Sequence, residues 1–398
     1  MGKLKLKNFC LENNKTDFLM FLTQHPDLNS EEYTIIPAFI DVHVHFREPG
    51  FCYKETILTG SKAAAKGGYT TVATMPNLKP VSDTVEHIQQ QLDIIRKDAV
   101  INVLPYGSIS INEEGKQISP LEDTAKLVIA FSDDGKGVQD INIMQQAMLR
   151  AKALNKVIVA HCEDNKLLNG GYIHDGQYAR THNHLGISSA SEYEQVKRDI
   201  ELVRETRCKY HVCHVSTKES VEAIRKAKAD GLDITCETAP HYLILDDSML
   251  QEDGNFKINP PIRSKEDKEA LIKGLQDGTI DMIATDHAPH SQEEKSKGLK
   301  DSPFGASGIE IAFPLLYTNL VKKNIITMDK LLEVLVINPK KRFNLPDNND
   351  FTIWNLNEKT VINPDNFISK GHNTPFKGYE VYGVNYITVC NGKVVYKK

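Results

Sequence analysis

The sequence predicts an α/β protein: a (β/α)8 barrel of the TIM type, with a small composite β-domain formed by the N- and C-terminal segments. Three observations predict this fold. The chain has 398 residues, long enough for a large barrel with an appended domain. From about residue 40, eight short β-rich runs alternate with amphipathic stretches. None of the eight is followed by the G-x-G-x-x-G turn that is typical of doubly wound sheets.

The eight predicted strands are apolar runs, most of them too short to form helices. They cover residues 40–45, 70–76, 100–109, 126–132, 156–162, 209–215, 233–238 and 281–285. The amphipathic stretches predict helices over residues 54–68, 82–98, 141–155, 192–207, 218–231 and 266–278, and two further helices close the series. Three of these helices are expected to start with a capping box: Ser189 with Glu192, Ser216 with Glu219, and Ser264 with Asp267. Gly231 and Gly278 lie where a helix C-cap is expected.

The barrel is predicted to span residues 38–349. The flanking segments, 1–37 and 350–398, carry alternating patterns typical of β-strands, and the second contains an Asn391-Gly392 hairpin turn. Neither segment is long enough to fold alone. We therefore expect residues 1–37 plus 350–398 to form one composite β-domain.

The composition excludes several classes of protein. Hydrophobic residues make up 40% of the chain and charged residues 25%, and no apolar run reaches the ~18 residues that a membrane span needs. The net charge of −5 gives the protein no overall positive potential that would attract nucleic acid or anionic lipid. A small molecule is therefore the expected partner, with no nucleic acid and no membrane.

Cysteine usage and the N-terminus predict a cytoplasmic protein. The first residues have neither the apolar stretch of a signal peptide nor a complete myristoylation motif. The seven cysteines are odd in number and contain no C-x-x-C pair, which favours reduced thiols. They are Cys10, Cys52, Cys162, Cys208, Cys213, Cys236 and Cys390.

Histidines and aspartates gather at the C-terminal ends of the predicted strands, where catalytic groups of such barrels collect. His43 and His45 are two positions apart on one strand, so both imidazoles project to the same side. Four more side chains follow later strands: Asp134, His161, His214 and Asp286. Nitrogen and carboxylate ligands suit zinc, and six ligands exceed one tetrahedral shell. The sequence therefore predicts two metal ions, with Asp134 as the candidate bridge between them.

Other polar residues have simpler interpretations. Asp133 is expected on the opposite face of its strand from Asp134, and the same alternation separates His211 and His287 from the ligands. His241 is interpreted as a histidine with satisfied hydrogen bonds. Several histidines are expected in a polar loop or away from the site: His25, His87, His174, His182, His184 and His372. The loop over residues 164–189 is long enough to fold over the site.

Five motifs carry a resemblance to a known family. They are His43-Val44-His45 with Phe46-Arg47-Glu48-Pro49-Gly50, Lys54-Glu55-Thr56, Met75-Pro76-Asn77, Ser132-Asp133-Asp134-Gly135, and Ala284-Thr285-Asp286-His287-Ala288-Pro289-His290. Together they resemble the dihydroorotases, and more narrowly the class I bacterial type, within the amidohydrolase superfamily. The resemblance covers the whole predicted barrel and continues into Asn373-Thr374-Pro375-Phe376.

The resemblance implies a hydrolase with two Zn²⁺ ions per chain that interconverts N-carbamoyl-L-aspartate and (S)-dihydroorotate in de novo pyrimidine biosynthesis. It implies that His43, His45, Asp134 and Asp286 hold one metal, while Asp134, His161 and His214 hold the other. It also selects Asp134 over Asp133. The implied substrate-binding residues are His45, Arg47, Asn77, Asn259, His290, Phe304 and Gly305.

The chemistry of these residue types agrees with that role. A hydroxide between the two metals is the expected nucleophile, and Asp286 is the expected catalytic proton shuttle. The Arg47 guanidinium offers a planar pair of donors for the carboxylate that the substrate carries.

Two alternative functions stay open at this stage. A hydantoinase, dihydropyrimidinase or allantoinase shares the barrel and the H-x-H motif, but usually bridges its metals with a carboxylated lysine after strand four. Here the nearest preceding lysine, Lys126, begins that predicted strand. A non-catalytic structural partner of aspartate transcarbamoylase is the second alternative, although such a copy is expected to lose ligands. Assembly as a homodimer or with aspartate transcarbamoylase is also left open.

Overall fold

The computed structural model describes residues 5–6 and 32–398. The predictions for Cys10, for His25 and for most of the segment 1–37 lie outside the described residues. Fourteen strands are present in the described part of the chain. In chain order they are β1 (Lys5–Leu6), β2 (Tyr33–Pro37), β3 (Phe39–Val44), β4 (Tyr69–Thr74), β5 (Asn102–Pro105), β6 (Val157–Ala160), β7 (Ile173–His174), β8 (Gly186–Ile187), β9 (Lys209–Val212), β10 (Ile234–Thr238), β11 (Met282–Ile283), β12 (Phe351–Val361), β13 (Glu380–Cys390) and β14 (Lys393–Lys397).

Parallel pairing connects the central strands in chain order. One sheet has the order β3-β4-β5 and another the order β6-β9-β10-β11. Between the two sheets, Phe131 bridges to Gly107 on one side and to Ile158 on the other. Val44 at the end of β3 bridges to His287, which follows β11, so the pairing returns to the strand where it began.

The prediction of a regular strand over residues 126–132 is wrong. A short helix, Leu121–Thr124, ends just before this run, and the turn after the helix occupies residues 125–127. Only Phe131 pairs as a strand residue, with its N–H donating to Val157 and its carbonyl accepting from Val159. The single bridge still fixes where residues 132–134 leave the sheet.

Helices lie between the parallel strands as the periodicity predicted. The longer ones are Ile57–Lys66, Val85–Asp98, Ile141–Ala153, Ala190–Thr206, Lys218–Ala229 and Lys265–Asp277. Shorter helices are Gln177–His182, Pro240–Ile244, Gln292–Lys295 and Gly298–Asp301. Two helical segments that include π-helical turns close the series: Ala312–Leu316 with Tyr317–Val321, and Met328–Leu332 with Glu333–Ile337 and Asn338–Arg342.

One of the three predicted capping boxes is confirmed and two are wrong. Ser264 and Asp267 form the full box, and Gly278 ends that helix in the left-handed conformation. Ser189 has helical backbone angles, φ −59° and ψ −28°, and its side chain makes no capping hydrogen bond. The Glu192 carboxylate instead accepts from the main-chain N–H groups of Ser216 and Thr217. Thr217, and not Ser216, caps the next helix.

Alternate residues of the parallel strands enter two different apolar layers. Val157 and Val159 of β6 pack in one layer, together with side chains such as Ile40 and Val42. Ile158 and Ala160 of the same strand pack in the layer that includes the helices. Strands covered on both faces in this way are typical of parallel sheets between helices.

A five-stranded sheet joins the two ends of the described chain, in the order β1-β2-β12-β13-β14. β1 is parallel to β2, and the remaining pairs are antiparallel. Ile35, Phe351, Ile353, Ile387 and Val389 form a separate apolar cluster on this sheet.

Across residues 32–398, no helix combines the length and apolar character that crossing a membrane requires. Of the described cysteines, Cys52 is exposed, and Cys162, Cys208, Cys213, Cys236 and Cys390 are buried; all six are free thiols.

Candidate active site

Six side chains meet where the parallel strands end. His43 lies in β3 and His45 just after it, Asp134 follows the Phe131 bridge, His161 follows β6, His214 follows β9, and Asp286 follows β11. None is more than 6% exposed. We call these six residues the metal cluster.

The Asp134 carboxylate lies between two pairs of imidazoles. Its Oδ2 is 3.3 Å from Nε2 of His43 and 3.3 Å from Nε2 of His45. Its Oδ1 is 3.3 Å from Nε2 of His214 and 3.7 Å from Nδ1 of His161. One oxygen therefore faces each pair, which is the arrangement that a carboxylate bridging two cations requires.

Asp286 joins the first pair only. Its Oδ1 is 3.2 Å from Nε2 of His45 and 3.5 Å from Nε2 of His43. Within the described residues, both His43 with His45 and Asp286, and His43 with Asp134 and His214, bring their ligand atoms within 4.8 Å of one another. In the described part of the chain, the buried Nε2 atoms of His43 and His161 have no hydrogen-bond partner.

The electrostatics of the metal cluster favour a positive charge at its centre. Burial alone lowers the pKa of His43, but Asp134, Glu237 and Asp286 raise it well above its ordinary value. Burial opposes the charge of Asp134, while His43, His161 and His214 hold its pKa well below its usual range. Imidazole nitrogens, carboxylate oxygens and unpartnered buried ligand atoms together fit a borderline divalent cation such as zinc.

Glu237 orients His43, and the sequence analysis did not single it out. It is the second-to-last residue of β10 and is 1% exposed. His43 Nδ1 is 2.6 Å from Oε1 of Glu237, and His211 Nε2 is 3.0 Å from Oε2. Burial raises the pKa of Glu237, but His43 and His211 lower it to about 2, so the carboxylate is ionised and accepts a hydrogen bond from the Nδ1–H of His43. Nε2 of His43 is then left as the free ligand atom.

Asn77 orients His45 in the same manner. Its Oδ1 accepts from Nδ1 of His45 at 3.0 Å, and its Nδ2 donates to the main-chain oxygen of Asp134 at 3.3 Å. Both ends of the predicted substrate residue Asn77 therefore contact the metal cluster.

The neighbouring polar residues differ from the predicted ligands in what they contact. Asp133 accepts from the main-chain N–H groups of Ile109 and Ser110 and from the Ser110 hydroxyl, and so holds that loop. His211 contacts Glu237, and none of the six residues of the metal cluster is its partner in that contact. His287 is 3.6 Å from Glu55 and accepts from the Gly308 N–H.

His241 differs from the prediction that its hydrogen bonds are satisfied. It is 5% exposed, and its Nε2 has no partner within the described residues. Burial lowers the pKa of His241 to about 4, so the imidazole is neutral.

Arg47 lies next to the metal cluster with a left-handed backbone, at φ +58°. Its Nε donates to the Pro289 carbonyl at 3.4 Å, and its terminal nitrogen is 3.5 Å from Nε2 of His290. Burial lowers the pKa of Arg47 to about 10, so the guanidinium is still charged at neutral pH.

Asn259 connects to the second half of the metal cluster through Glu163. Its Nδ2 donates to Oε1 of Glu163 at 2.9 Å, and Oε2 of Glu163 is 3.6 Å from Nε2 of His161. Oδ1 of Asn259 is buried and, in the described part of the chain, has no partner. Glu163 is a second residue that the sequence analysis did not single out, although it follows β6 directly in the His161-Cys162-Glu163 run.

The predicted residues His290, Phe304 and Gly305 contact one another. His290 Nε2 donates to the Phe304 carbonyl at 2.8 Å, and its Nδ1 is 3.3 Å from the Lys54 ammonium. Gly305 has φ +133°, and a Cβ there would lie 2.8 Å from the Ala288 side chain. We call Arg47, His290, Phe304 and Gly305 the substrate cluster.

The 164–189 loop is not structureless. It contains the short parallel pair β7 and β8 and the helix Gln177–His182. Arg263 is bound to this segment, because its guanidinium donates to the Ile187 carbonyl at 3.0 Å. His182 and His184 are exposed or partly exposed, and His174 is buried 3.4 Å from Arg263.

Comparison with known proteins adds an independent line of support. Residues 33–220 match the sequence family described as Dihydro-orotase-like. A protein named dihydroorotase from Fusobacterium nucleatum is 50% identical over 91% of this chain and 87% of its own length. A dihydroorotase from Bacillus anthracis is 50% identical over 92% of this chain and 87% of its own.

Solved structures with a similar fold carry other names. L-Hydantoinase (dihydropyrimidinase) from Arthrobacter aurescens has a TM-score of 0.82 and 25% identity, covering 92% of this chain and 86% of its own. D-Hydantoinase (dihydropyrimidinase) from Thermus sp. has a TM-score of 0.80 and 24% identity, covering 91% and 85%.

Proposed function

Because the chain belongs to the dihydroorotase family, we propose that it interconverts N-carbamoyl-L-aspartate and (S)-dihydroorotate in de novo pyrimidine biosynthesis. The enzyme is a cyclic amidohydrolase that acts on a small molecule. The observation that carries the proposal is the Asp134 carboxylate, with one oxygen facing His43 and His45 and the other facing His161 and His214.

The proposal includes the architecture. The ring of parallel pairings and bridges supports a (β/α)8 barrel over residues 38–349. The five-stranded sheet supports a second, composite β-domain from residues 1–37 plus 350–398.

Two zinc ions are proposed as the cofactors. His43, His45, Asp134 and Asp286 would hold one, and Asp134, His161 and His214 the other. When bound, such a pair supplies an activated water and polarises the carbonyl of the ring amide. Glu237 and Asn77 keep the protons of His43 and His45 on Nδ1, so that Nε2 of each ring stays available.

Asp286 is proposed to move the proton. Its Oδ1 faces His43 and His45, so Oδ2 is the atom assigned to proton transfer. In ring opening, Oδ2 accepts a proton from the attacking water and delivers it to the ring nitrogen as the C–N bond breaks. In cyclisation the same proton moves from the ureido nitrogen to the departing carboxylate oxygen. A second proton comes from solution, because two carboxylates become one.

Arg47 is proposed to select a substrate that carries a carboxylate. Its guanidinium lies beside the metal cluster, and a planar fork can donate two parallel hydrogen bonds to one carboxylate. This favours dihydroorotate over hydantoins and dihydrouracil, which lack that group. Lys126 is exposed at the far end of its run, which is against the lysine bridge usual in hydantoinases.

The remaining substrate contacts are proposed for the residues that the family resemblance implies. The free Oδ1 of Asn259 would accept from a ring N–H, and the main-chain N–H of Phe304 would donate to a ring carbonyl. His45, Asn77, His290 and Gly305 complete the proposed set. A cytoplasmic location, a homodimer and assembly with aspartate transcarbamoylase also belong to the proposal; the six free thiols favour the first.

A comparison of three substrates tests the proposed function. The purified protein loaded with zinc should open the ring of dihydroorotate, and should do so far faster than those of dihydrouracil or hydantoin at equal concentrations. Equal or faster opening of either uncharged ring would favour the hydantoinase alternative. Failure to open any of the three by a protein shown to hold two zinc ions would favour the non-catalytic alternative.

A further inference from the structure

Lys295 is a buried lysine that the proposed mechanism does not use. It ends the short helix Gln292–Lys295 and is 5% exposed. Its ammonium donates to three main-chain carbonyls, those of Gly305 at 2.9 Å, Pro303 at 3.0 Å and Lys257 at 3.2 Å. Three acceptors match the three N–H donors of an ammonium, so the group is fully bonded although it is buried.

Two of these acceptors flank Phe304. The Pro303 carbonyl belongs to the same peptide group as the Phe304 N–H, and in a planar trans peptide the two point in opposite directions. Lys295 therefore turns the Phe304 N–H away from itself by holding the Pro303 oxygen. The Gly305 carbonyl is held at the next peptide by both Lys295 and the Asn373 amide, at 2.9 and 3.0 Å.

The other main-chain groups of this segment are bound to the protein. The Gly305 N–H donates to the Lys257 carbonyl at 3.0 Å, and the Phe304 carbonyl accepts from His290 at 2.8 Å. Three of the four main-chain polar groups of Phe304 and Gly305 thus have partners. The fourth, the Phe304 N–H, is the group assigned above to the substrate.

We propose that Lys295 is a positioning residue for the substrate, whose ammonium fixes the Pro303–Phe304 peptide so that the Phe304 N–H donates to the ring carbonyl of dihydroorotate. This inference rests on the proposed function for the identity of the substrate. The hydrogen bonds by which Lys295 fixes the Pro303–Phe304 peptide do not depend on the proposed function, because they are present in the protein without substrate. Burial, and then Lys257, lowers the pKa of Lys295 to about 7. A neutral amine has only two N–H donors for three carbonyls, so the bonding described here belongs to the charged form.

The test is the variant Lys295→Met, which keeps the volume of the side chain and removes its donors. With zinc loaded, we expect KM for dihydroorotate to rise by about tenfold or more, while kcat changes by less than about threefold and zinc content stays at the wild-type value. Hydrogen exchange of the amides of Ser302, Phe304, Gly305 and Ala306, measured without substrate, should become faster in the same variant. Lys295→Gln has a shorter side chain with two N–H donors, so its KM and exchange rates should lie between those of wild type and Lys295→Met. It replaces Lys295→Met if that variant does not fold.

Lys156→Met is the matched control. The Lys156 ammonium also donates to a main-chain carbonyl, that of Val128 at 2.6 Å, but the residue precedes β6 and lies at the opposite end of that strand from His161. Its loss should leave KM within about twofold of wild type. An unchanged KM in Lys295→Met would overturn the inference, whether or not the amides exchange faster. Loss of zinc together with kcat would also overturn it.

The two proposals fail in different ways. If wild-type protein does not open dihydroorotate, the proposed function is wrong, and faster exchange in Lys295→Met would still support the hold on the peptide. If wild type is active and KM does not respond, the role of Lys295 alone is wrong.

Discussion

The metal cluster and the substrate cluster hold their polar side chains by different means. In the metal cluster, imidazoles and carboxylates from the ends of the parallel pairings face one another directly, at 3.2 to 3.7 Å. In the substrate cluster, side chains from loops are bound to main-chain carbonyls: Arg47 to Pro289, and His290 to Phe304. Lys295 extends the second pattern with three carbonyl acceptors.

The difference teaches which property each residue should control. Opposite charges interact strongly in a buried site, so removal of one member of the metal cluster should change cation binding. Main-chain carbonyls fix direction and carry no net charge. Loss of a contact in the substrate cluster should therefore change substrate binding and leave the metals in place. Four predictions test this separation.

Removal of the metals should have the largest effect. Prolonged chelation is expected to abolish turnover of dihydroorotate, and zinc or cobalt should restore it, because the six converging ligands are proposed to hold the ions that activate the attacking water. Restoration should need no bicarbonate, since the proposed bridge is the Asp134 carboxylate. Elemental analysis and turnover are measured on the same samples. Full activity of a metal-free sample would contradict the zinc proposal, and a bicarbonate requirement would contradict the Asp134 bridge.

Asp286→Asn should have the next largest effect. Loss of a proton shuttle is expected to lower kcat by roughly 10²–10⁴ in both directions of the reaction. Because Asp286 belongs to the metal cluster, zinc content is measured first, and only samples with two ions are compared. Near-normal rates in either direction with both metals present would transfer the proton role to another group, with His290 as the next candidate.

Arg47→Lys should reduce the turnover of dihydroorotate without changing the zinc content, and so should distinguish the substrate cluster from the metal cluster. An ammonium cannot form two parallel bonds to a carboxylate, so kcat/KM for dihydroorotate should fall roughly 10- to 100-fold. Zinc content should stay normal, because Arg47 lies outside the metal cluster. The slow turnover of dihydrouracil, which has no carboxylate, provides the internal control and should change little. An equal loss for both substrates would mean that Arg47 acts on something other than the carboxylate.

Glu237→Gln should have the smallest effect on turnover and a clear effect on metal affinity. A carboxamide keeps the shape but removes the charge that holds the proton on Nδ1 of His43. Zinc affinity, measured by competition with a chelator, should fall about tenfold, at the lower end of the 10–100-fold range for residues that orient a metal ligand.

Glu310→Gln is the matched control for Glu237→Gln. Glu310 is also buried, at 8% exposure, but it binds Lys66 and the main chain of Ser369. Its zinc affinity should equal that of wild type. Equal losses in the two variants would mean that Glu237 acts only through general stability.

Much of the candidate site was predictable because it follows strand periodicity. His43 and His45 are two positions apart, and the other four predicted ligands lie at the ends of four later β-rich runs, so their convergence needs only the parallel order of the strands. The motifs also identified the family, which is confirmed by relatives at 50% identity. The roles of the six ligands and of the substrate residues stay predictions.

Contacts between distant segments were not predictable. Glu237 reaches His43 across 194 positions of sequence, and Lys295 binds the carbonyl of Lys257 and two carbonyls beyond its own helix. A glutamate in a strand or a lysine after a capping box carries no local signal of such a partner. The absence of a regular strand over residues 126–132 was equally hard to predict, because the turn that follows the short helix Leu121–Thr124 takes up the first residues of that run.

The sequence by itself determined the alternation of strands and helices, the family, and which histidines share one side of a strand, since these depend on local periodicity and on motifs. The resemblance selected Asp134 over Asp133, but only the tertiary structure decided what each of these two adjacent carboxylates contacts. Asp133 is bound by the N–H groups of Ile109 and Ser110, and Asp134 by four imidazoles from other strands. The physical reason is that a buried charge must find its partners in space, and those partners are set by packing rather than by neighbours along the chain.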